Sequence, residues 1–279
     1  MKDMKLYSHV ERIYNELRAD GIADGAPLEV GDLIAHDQYH YDSVEALDTA
    51  IDDLALTADS RVLDVGSGIG GPARYIADRA GCKVTALELQ PDLHRLARDL
   101  TRRCGLADRV LHRAGNVLDG DVDGDVDGDL FGGAFDVLLS LLVFLHIPER
   151  RRLFGVCRVL LNPGGRIWIE DFTKLREPSD QQWRHLRQAV QCPYLPTPDE
   201  YRAHLEAARF REIVVQDMTT AWAEFTSERW RSFQAARSRN IEVHGSDIVD
   251  GLGEFYGTVA DLFESGAVGG VRISATAGA

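Results

Sequence analysis

The order of apolar segments predicts an α/β fold, a parallel sheet wound by helices on both faces. Three observations carry that expectation. Short β-branched runs alternate with amphipathic stretches through the middle of the chain. A glycine-rich bend, "DVGSGIGG", joins the first run to a helix. An acidic residue, Glu88, closes the next run about two dozen residues after Asp64.

The elements follow in order. "HVERIYNELRAD" (residues 9–20) sets Val10, Ile13, Tyr14 and Leu17 on one helical face. "SVEALDTAIDDLAL" reads as a second helix, with Ser43 as its N-cap before Val44, Leu47, Ile51 and Leu54. The polar and aromatic segment "HDQYHYD" lies between them, and residues 1–56 form a helical cap ahead of a main domain spanning 57–279. "RVLDV", "KVTALEL", "RVLHRAG", "AFDVLLS" and "GRIWIEDF" read as strands, with helices near 73–80, 91–104 and 149–161. After Asp171 the rhythm breaks. Helical insertions are expected near 175–208 and 222–265, interrupted by "CPYLPTPDEY" and the strand "REIVVQDM", and "GGVRISATA" supplies a last strand.

Composition narrows the classes of function. The formal net charge of -14 argues against a nucleic-acid partner, whose phosphates would be repelled. The charged opening residues give no reason to expect a signal peptide. "VLLSLLVFLHI" (residues 137–147) is far shorter than the roughly 20 residues a bilayer span needs, so no membrane partner is expected and the cytoplasm is the default location. Cys82, Cys104, Cys157 and Cys192 are scattered without a CxxC pair, which argues against structural zinc and a disulfide framework, and no metal site is expected. In "GDVDGDVDGD" (residues 120–129), Asp123, Asp125, Asp127 and Gly128 imitate half a calcium loop, but Ala134 stands where its glutamate belongs. A charged surface loop is the expected reading.

The glycine bend is the strongest chemical signal. Gly66, Gly68 and Gly71 satisfy GxGxxG, which alone leaves a dinucleotide site open. No Gly-Lys-Ser/Thr closes the run, which excludes a P-loop. Asp64 two residues before the first glycine makes "DVGSGIGG" resemble motif I of the class I S-adenosylmethionine-dependent methyltransferases. "FDVLLSLLVFLHIPER" resembles their fourth strand and following loop, and "LLNPGGRIWIEDF" their turn into the fifth. The resemblance implies a Rossmann-like seven-stranded sheet and S-adenosyl-L-methionine as cofactor, leaving S-adenosyl-L-homocysteine. It also implies a cofactor site of Asp64, Gly66, Ser67, Gly68, Gly70, Glu88, Leu89, Asn116, Val117 and Ser140. Glu88 would take the ribose hydroxyls. Asn116 stands where the family usually carries aspartate and would accept from the adenine amino group through its amide oxygen.

The acceptor side resembles small-molecule methyltransferases of the sarcosine/dimethylglycine and phosphoethanolamine type. "DQYHYDSVEALDTAI", "TALELQPDLHRLARDLTRRCGL" and "LFESGAVGGVRI" resemble, more closely, the methyltransferase module of ovothiol-synthesis enzymes. That implies methylation of an imidazole nitrogen of 5-thiohistidine or its selenium analogue, with a separate sulfoxide synthase or lyase as a pathway partner. The candidate catalytic residues are Tyr39, His40, His146 and Glu170. Gln38, Tyr41, Phe144, Asp171, Tyr194 and Arg272 are the candidate substrate-binding residues. Strand alternation allows one of Glu170 and Asp171 to face the pocket, and Glu170 is favoured. Arg272 would hold the acceptor carboxylate, and "CPYLPT" would form a lid with Tyr194 pointing inward. Each has a plainer competing reading: a packed connector for 38–41, a structural histidine for His146, turn chemistry for 192–197. Trp222, Phe225, Trp230 and Phe233 are expected in the core rather than around substrate. Cys192 is not expected to act as a nucleophile. A sarcosine-type amine acceptor, a nicotinamide-dependent oxidoreductase and a non-catalytic scaffold remain as alternatives, and the oligomeric state stays open.

Overall fold

The computed structural model describes residues 9–119 and 135–278. The aspartate–glycine run at 120–129 lies outside them. The chain opens with α1 (Arg12–Ala19), a 3-10 turn at Val30–Asp32, α2 (Ile34–Asp37) and α3 (Ser43–Leu54). β1 (Arg61–Val65), α4 (Gly71–Ala80), β2 (Lys83–Glu88), α5 (Pro91–Arg103), β3 (Val110–Ala114), β4 (Phe135–Leu141), α6 (Arg150–Leu160) and β5 (Leu161–Lys174) follow in alternation. Then come α7 (Asp180–His185), a π-turn at Leu186–Val190, α8 (Pro198–Ala207), β6 (Phe210–Asp217), α9 (Thr219–Ala235), α10 (Arg237–His244), α11 (Ser246–Glu264) and β7 (Val268–Ala277).

The strands form a seven-stranded sheet in the order β3-β2-β1-β4-β5-β7-β6. β1 to β5 pair in parallel, whereas β7 runs antiparallel between β5 and β6. The parallel winding read from the strand–helix rhythm holds for β1 to β5, and the antiparallel β7 falls after Asp171, where that rhythm breaks. β5 and β6 flank α7 and α8, but β7 is reached from β6 through the long α9–α11 excursion and inserts between them. The strand order reverses between β1 and β4, the topological switch point outside whose carboxyl ends ligands gather in open α/β sheets.

Two apolar layers hold the sheet. Leu63, Leu138, Ile167, Ile169 and Ile273 meet Phe154, Cys157, Tyr201 and Leu205 of α6 and α8 on one side. Val62, Val84, Val137 and Trp168 meet Leu47, Ala73, Ile76 and Ala77 of α3 and α4 on the other. Each buried aliphatic side chain contributes about 1.5–3 kcal/mol, which is what commits both sheet faces to helices. A third cluster packs Trp222 of α9 and Phe263 of α11 around Tyr41. Among the described residues no helix is long and apolar enough to cross a membrane.

Local signals set several boundaries. Thr197 and Glu200 form a capping box that starts α8. The expected N-cap of α3 is corrected: Ser43 is its first helical residue, and Asp42, in the left-handed conformation at φ 57°, precedes it. The Asp42 carboxylate accepts instead from the Trp222 indole N–H at 3.3 Å, so the side chain anchors to α9 rather than capping its own helix.

Candidate active site

The glycine bend leaves β1 at Val65 and turns through Gly66, Gly68 and Gly70, all at positive φ, before α4. A Cβ on Gly66 would run into the Val143 side chain, so this position admits no larger residue without displacement. Glu88, at the end of β2, reaches across to the bend. One carboxylate oxygen accepts from the Gly68 N–H and the other from the Gln90 N–H, each at 2.8 Å. Burial pushes its carboxyl up to about 7 against the pull of those donors. Asp64 is buried too, and desolvation with the nearby Glu88 charge carries it to about 7. Asp64 Oδ2, Ser67 Oγ and Ser140 Oγ are buried without a hydrogen-bond partner. Buried acceptors are rarely left unpaired unless something else supplies the donor.

A cavity of about 1000 Å³ opens over this bend. Its floor holds Asp64, Gly66, Ser67, Gly68, Glu88, Leu89, Asn116 and Val117. Residues 35–41 form one wall, pinned at their start by a buried ion pair in which Arg74 Nη2 donates to Asp37 Oδ2 at 2.9 Å. His40 is held at both ring nitrogens, 2.9 Å from the Tyr41 carbonyl and 2.9 Å from Gln38 Oε1. His146, on the turn after β4, donates from Nδ1 to the Gln191 carbonyl at 3.0 Å, which leaves Nε2 of the neutral ring as an acceptor. Burial lowers both imidazoles to about 4. Helices α9 to α11 supply the opposite wall, including Phe225, Arg229, Phe255 and Tyr256.

A family model described as a methyltransferase domain matches residues 37–215, from the cavity wall through β6. The chain belongs to this methyltransferase family. It is 32% identical over 164 residues to the sarcosine/dimethylglycine N-methyltransferase of Halorhodospira halochloris, covering 59% of this chain and 56% of that one. It is 25% identical over 183 residues to the phosphoethanolamine N-methyltransferase of Plasmodium falciparum, covering 64% of each. The chain thus spans less than two thirds of either relative's length. Among solved structures, a Haemonchus contortus phosphoethanolamine N-methyltransferase 2 in complex with phosphomonomethylethanolamine and S-adenosylhomocysteine superposes with TM-score 0.75 at 18% identity, over 99% of this chain and 61% of that one. The cyclopropane synthase MmaA2 of Mycobacterium tuberculosis does so with TM-score 0.72 at 14% identity, over 98% and 100%. These likenesses establish the Rossmann-like methyltransferase fold.

Within this methyltransferase, Gln38, Tyr39, His40, Tyr41 and His146 line the cavity with the cofactor-side residues named above. Seven expected site residues do not. Glu170 lies under the cavity wall, fully buried, where Arg272 Nε and Nη2 donate to its Oε1 at 2.8 and 2.7 Å. The two residues are direct cross-strand partners in the β5–β7 register, so each takes the charge the other was expected to offer a ligand. Asp171 is consumed by the scaffold: it accepts from the Leu145 and Phe172 N–H groups, from Arg150 and from the Tyr201 hydroxyl. The expectation that one of this pair faces the pocket is therefore corrected; both face protein.

Phe144 is a core residue, edge-on to Phe154 at 5.8 Å. Tyr194 points away from the cavity to His204, its hydroxyl 3.3 Å from Nε2. The segment 192–197 is no free lid, because Thr173 and Lys174 of β5 both donate to the Pro196 carbonyl. Gly70 stands beside Arg74 and His112 rather than in the cavity, leaving them room. Ser140 is buried at the end of β4 behind the lining. Asn116 does line the floor, but its amide oxygen already accepts from the Leu118 N–H at 3.0 Å. The expected all-core aromatic set divides as well: Trp222 is core, whereas Phe225 and Phe233 line the cavity. Burial raises the Cys192 thiol to about 12, so it stays protonated.

Gly66→Ala is expected to cost roughly 2–5 kcal/mol, from left-handed strain plus the overlap with Val143. Thermal unfolding with and without S-adenosylhomocysteine measures it; an unshifted midpoint that still responds to the ligand would contradict the close approach described here.

Proposed function

We propose that this chain is an S-adenosylmethionine-dependent small-molecule N-methyltransferase whose acceptor is an imidazole nitrogen of an amino acid, 5-thiohistidine or its selenium analogue. The cofactor fits the floor. The Asp64 carboxylate and the serine hydroxyl at Ser67 are orphaned acceptors suited to an ammonium group. Glu88 offers two oxygens to a ribose diol, and the glycine bend lets backbone approach closely. When bound, that group supplies an electrophilic methyl on a sulfonium sulfur.

The observation carrying the acceptor reading is the protonation state of the cavity's imidazoles. Burial lowers His40 and His146 to about 4, which makes both weak bases, while Asp171 accepts from Arg150 and Tyr201 and Glu170 is paired through Oε1 with Arg272. An aliphatic ammonium with pKa ~10 must be deprotonated before it can attack, whereas an imidazole with pKa ~6.5 presents a free lone pair at pH 7. In this reading His146 Nε2 accepts from the N–H side of such a ring and leaves the opposite nitrogen for the methyl. Positioning rather than base strength is then the protein's contribution. An iron-dependent sulfoxide synthase or a lyase acting on a thiolated or selenated histidine would supply this substrate.

A glycine-derived amine is the second reading, favoured by the sarcosine/dimethylglycine acceptors named for the relative from Halorhodospira halochloris. Mass spectrometry on a panel of thiol-imidazoles and amines separates the two. The expected result is one added methyl on 5-thiohistidine and none on sarcosine or dimethylglycine. Equal rates, or the reverse order, would refute the imidazole assignment.

A further inference from the structure

With Arg272 committed to Glu170, the cavity needs another group if its acceptor carries a carboxylate. Arg229 of α9 has the required properties. Its guanidinium carbon sits 4.9 Å from the Tyr41 ring centroid, 5.4 Å from that of Phe225 and 4.7 Å from that of Tyr256. All four residues line the cavity. Three separate elements therefore meet at this cation: the wall segment 35–41, α9 and α11.

Arg229 has no ion-pair partner among the described residues. Its Nε is buried without a hydrogen-bond acceptor, and its charge acts on the neighbouring Tyr41 hydroxyl, which it favours in the ionised form. Aromatic faces attract a guanidinium by their quadrupole but accept few of its five N–H donors, so the planar fork keeps an edge for a carboxylate. The other arginines of the cavity are poorer candidates. Arg184 is exposed to solvent, and Arg12 turns its Nε to the His9 carbonyl at 3.3 Å. Arg239, outside the lining, is paired with Glu16 at 2.6 Å.

We infer that Arg229 is the carboxylate anchor of the acceptor site and makes this enzyme select amino acids over the amines left when their carboxyl is removed. The inference rests on the amino-acid acceptor proposed above. It holds for an imidazole or an aliphatic nitrogen alike, because the anchor reads the carboxylate and not the nucleophile.

The test compares kcat/KM for each acid that the wild type methylates with that for its decarboxylated counterpart, in wild type, Arg229→Gln and Arg229→Lys. Losing a charge-assisted bidentate contact should raise KM for the acid roughly 10- to 100-fold in Arg229→Gln, and KM for the decarboxylated amine by a much smaller factor, so that the preference for the acid falls. Arg229→Lys should retain part of the preference, since it keeps the charge and loses the fork. Acceptor-induced thermal shifts in the presence of S-adenosylhomocysteine should fall in parallel, while the shift from S-adenosylhomocysteine alone persists and certifies the fold. An unchanged preference for the acid in Arg229→Gln overturns the anchor and leaves the acceptor reading intact. If Arg229→Gln does not fold, Arg229→Lys decides, and an undiminished preference there overturns it equally. A wild type that methylates no amino acid of the panel overturns the acceptor reading, and the anchor with it.

Discussion

Glu88→Ala is expected to weaken binding of S-adenosylmethionine and S-adenosylhomocysteine by roughly 100-fold, the scale of losing charge-assisted hydrogen bonds in a desolvated site. The substitution acts twice. It deletes the two oxygens available to a ribose diol, and it strips the Gly68 and Gln90 N–H groups of their acceptor, loosening the bend that forms the cofactor floor. Glu88→Gln separates the two effects: one backbone donor keeps an oxygen, the charge is gone, and a loss of about 10-fold is expected. Because burial raises the Glu88 and Asp64 carboxyls to about 7, both are ionised above that pH and protonated below it. A protonated carboxyl is the poorer acceptor for hydroxyl and ammonium donors, so wild-type affinity should fall as pH drops below about 7. Calorimetric titration with S-adenosylhomocysteine across that range measures both quantities. Wild-type affinity in Glu88→Ala would remove this carboxylate from the cofactor site.

The second large effect concerns folding. Asp37→Ala leaves the Arg74 guanidinium, 0% exposed, without its carboxylate and with only 3.3–3.4 Å contacts to Thr101 Oγ1 and the Ala97 carbonyl. Breaking a buried pair in this way costs about 3–5 kcal/mol, a drop in midpoint of roughly 6–20 °C for a domain of this size. Removing both charges should recover most of it, so Asp37→Ala combined with Arg74→Met is expected to unfold well above Asp37→Ala alone. Thermal denaturation of the single and double variants is the measurement. A single variant within 1 kcal/mol of wild type by ΔG, near the ordinary centre for point substitutions, would show that the pair is not the pin described here.

How far the sequence could be read follows the distance over which each feature is determined. The strands, α4, α5 and the glycine bend are encoded by neighbours along the chain, in alternation, glycine placement and the Pro72 and Pro91 helix starts. The meeting of Asp64 and Glu88 in one cavity was therefore legible: they stand at the ends of adjacent parallel strands, and the fold brings such ends together. The Glu170–Arg272 pair was not, because it depends on the register of an antiparallel strand inserted out of sequence order. Each residue on its own looks like a free charge at a strand end, and only the pairing cancels it. Asp171 misled for the same reason, since Arg150 and Tyr201 come from α6 and α8. Arg229 was missed because α9 reaches residue 41 only through tertiary packing. Of the two arginines in "FTSERWRSF", nothing in the local sequence singles out Arg229 as the one that meets Tyr41 and Tyr256.

The cavity wall at residues 38–41 is held at both of its ends. The stretch carrying Gln38 through Tyr41 is tethered upstream by Asp37 to α4 and downstream by Asp42 to the Trp222 indole. A ribbon fastened at both ends cannot swing like a door. Any outward swing of this stretch would first have to break the Arg74–Asp37 pair or the Asp42–Trp222 hydrogen bond.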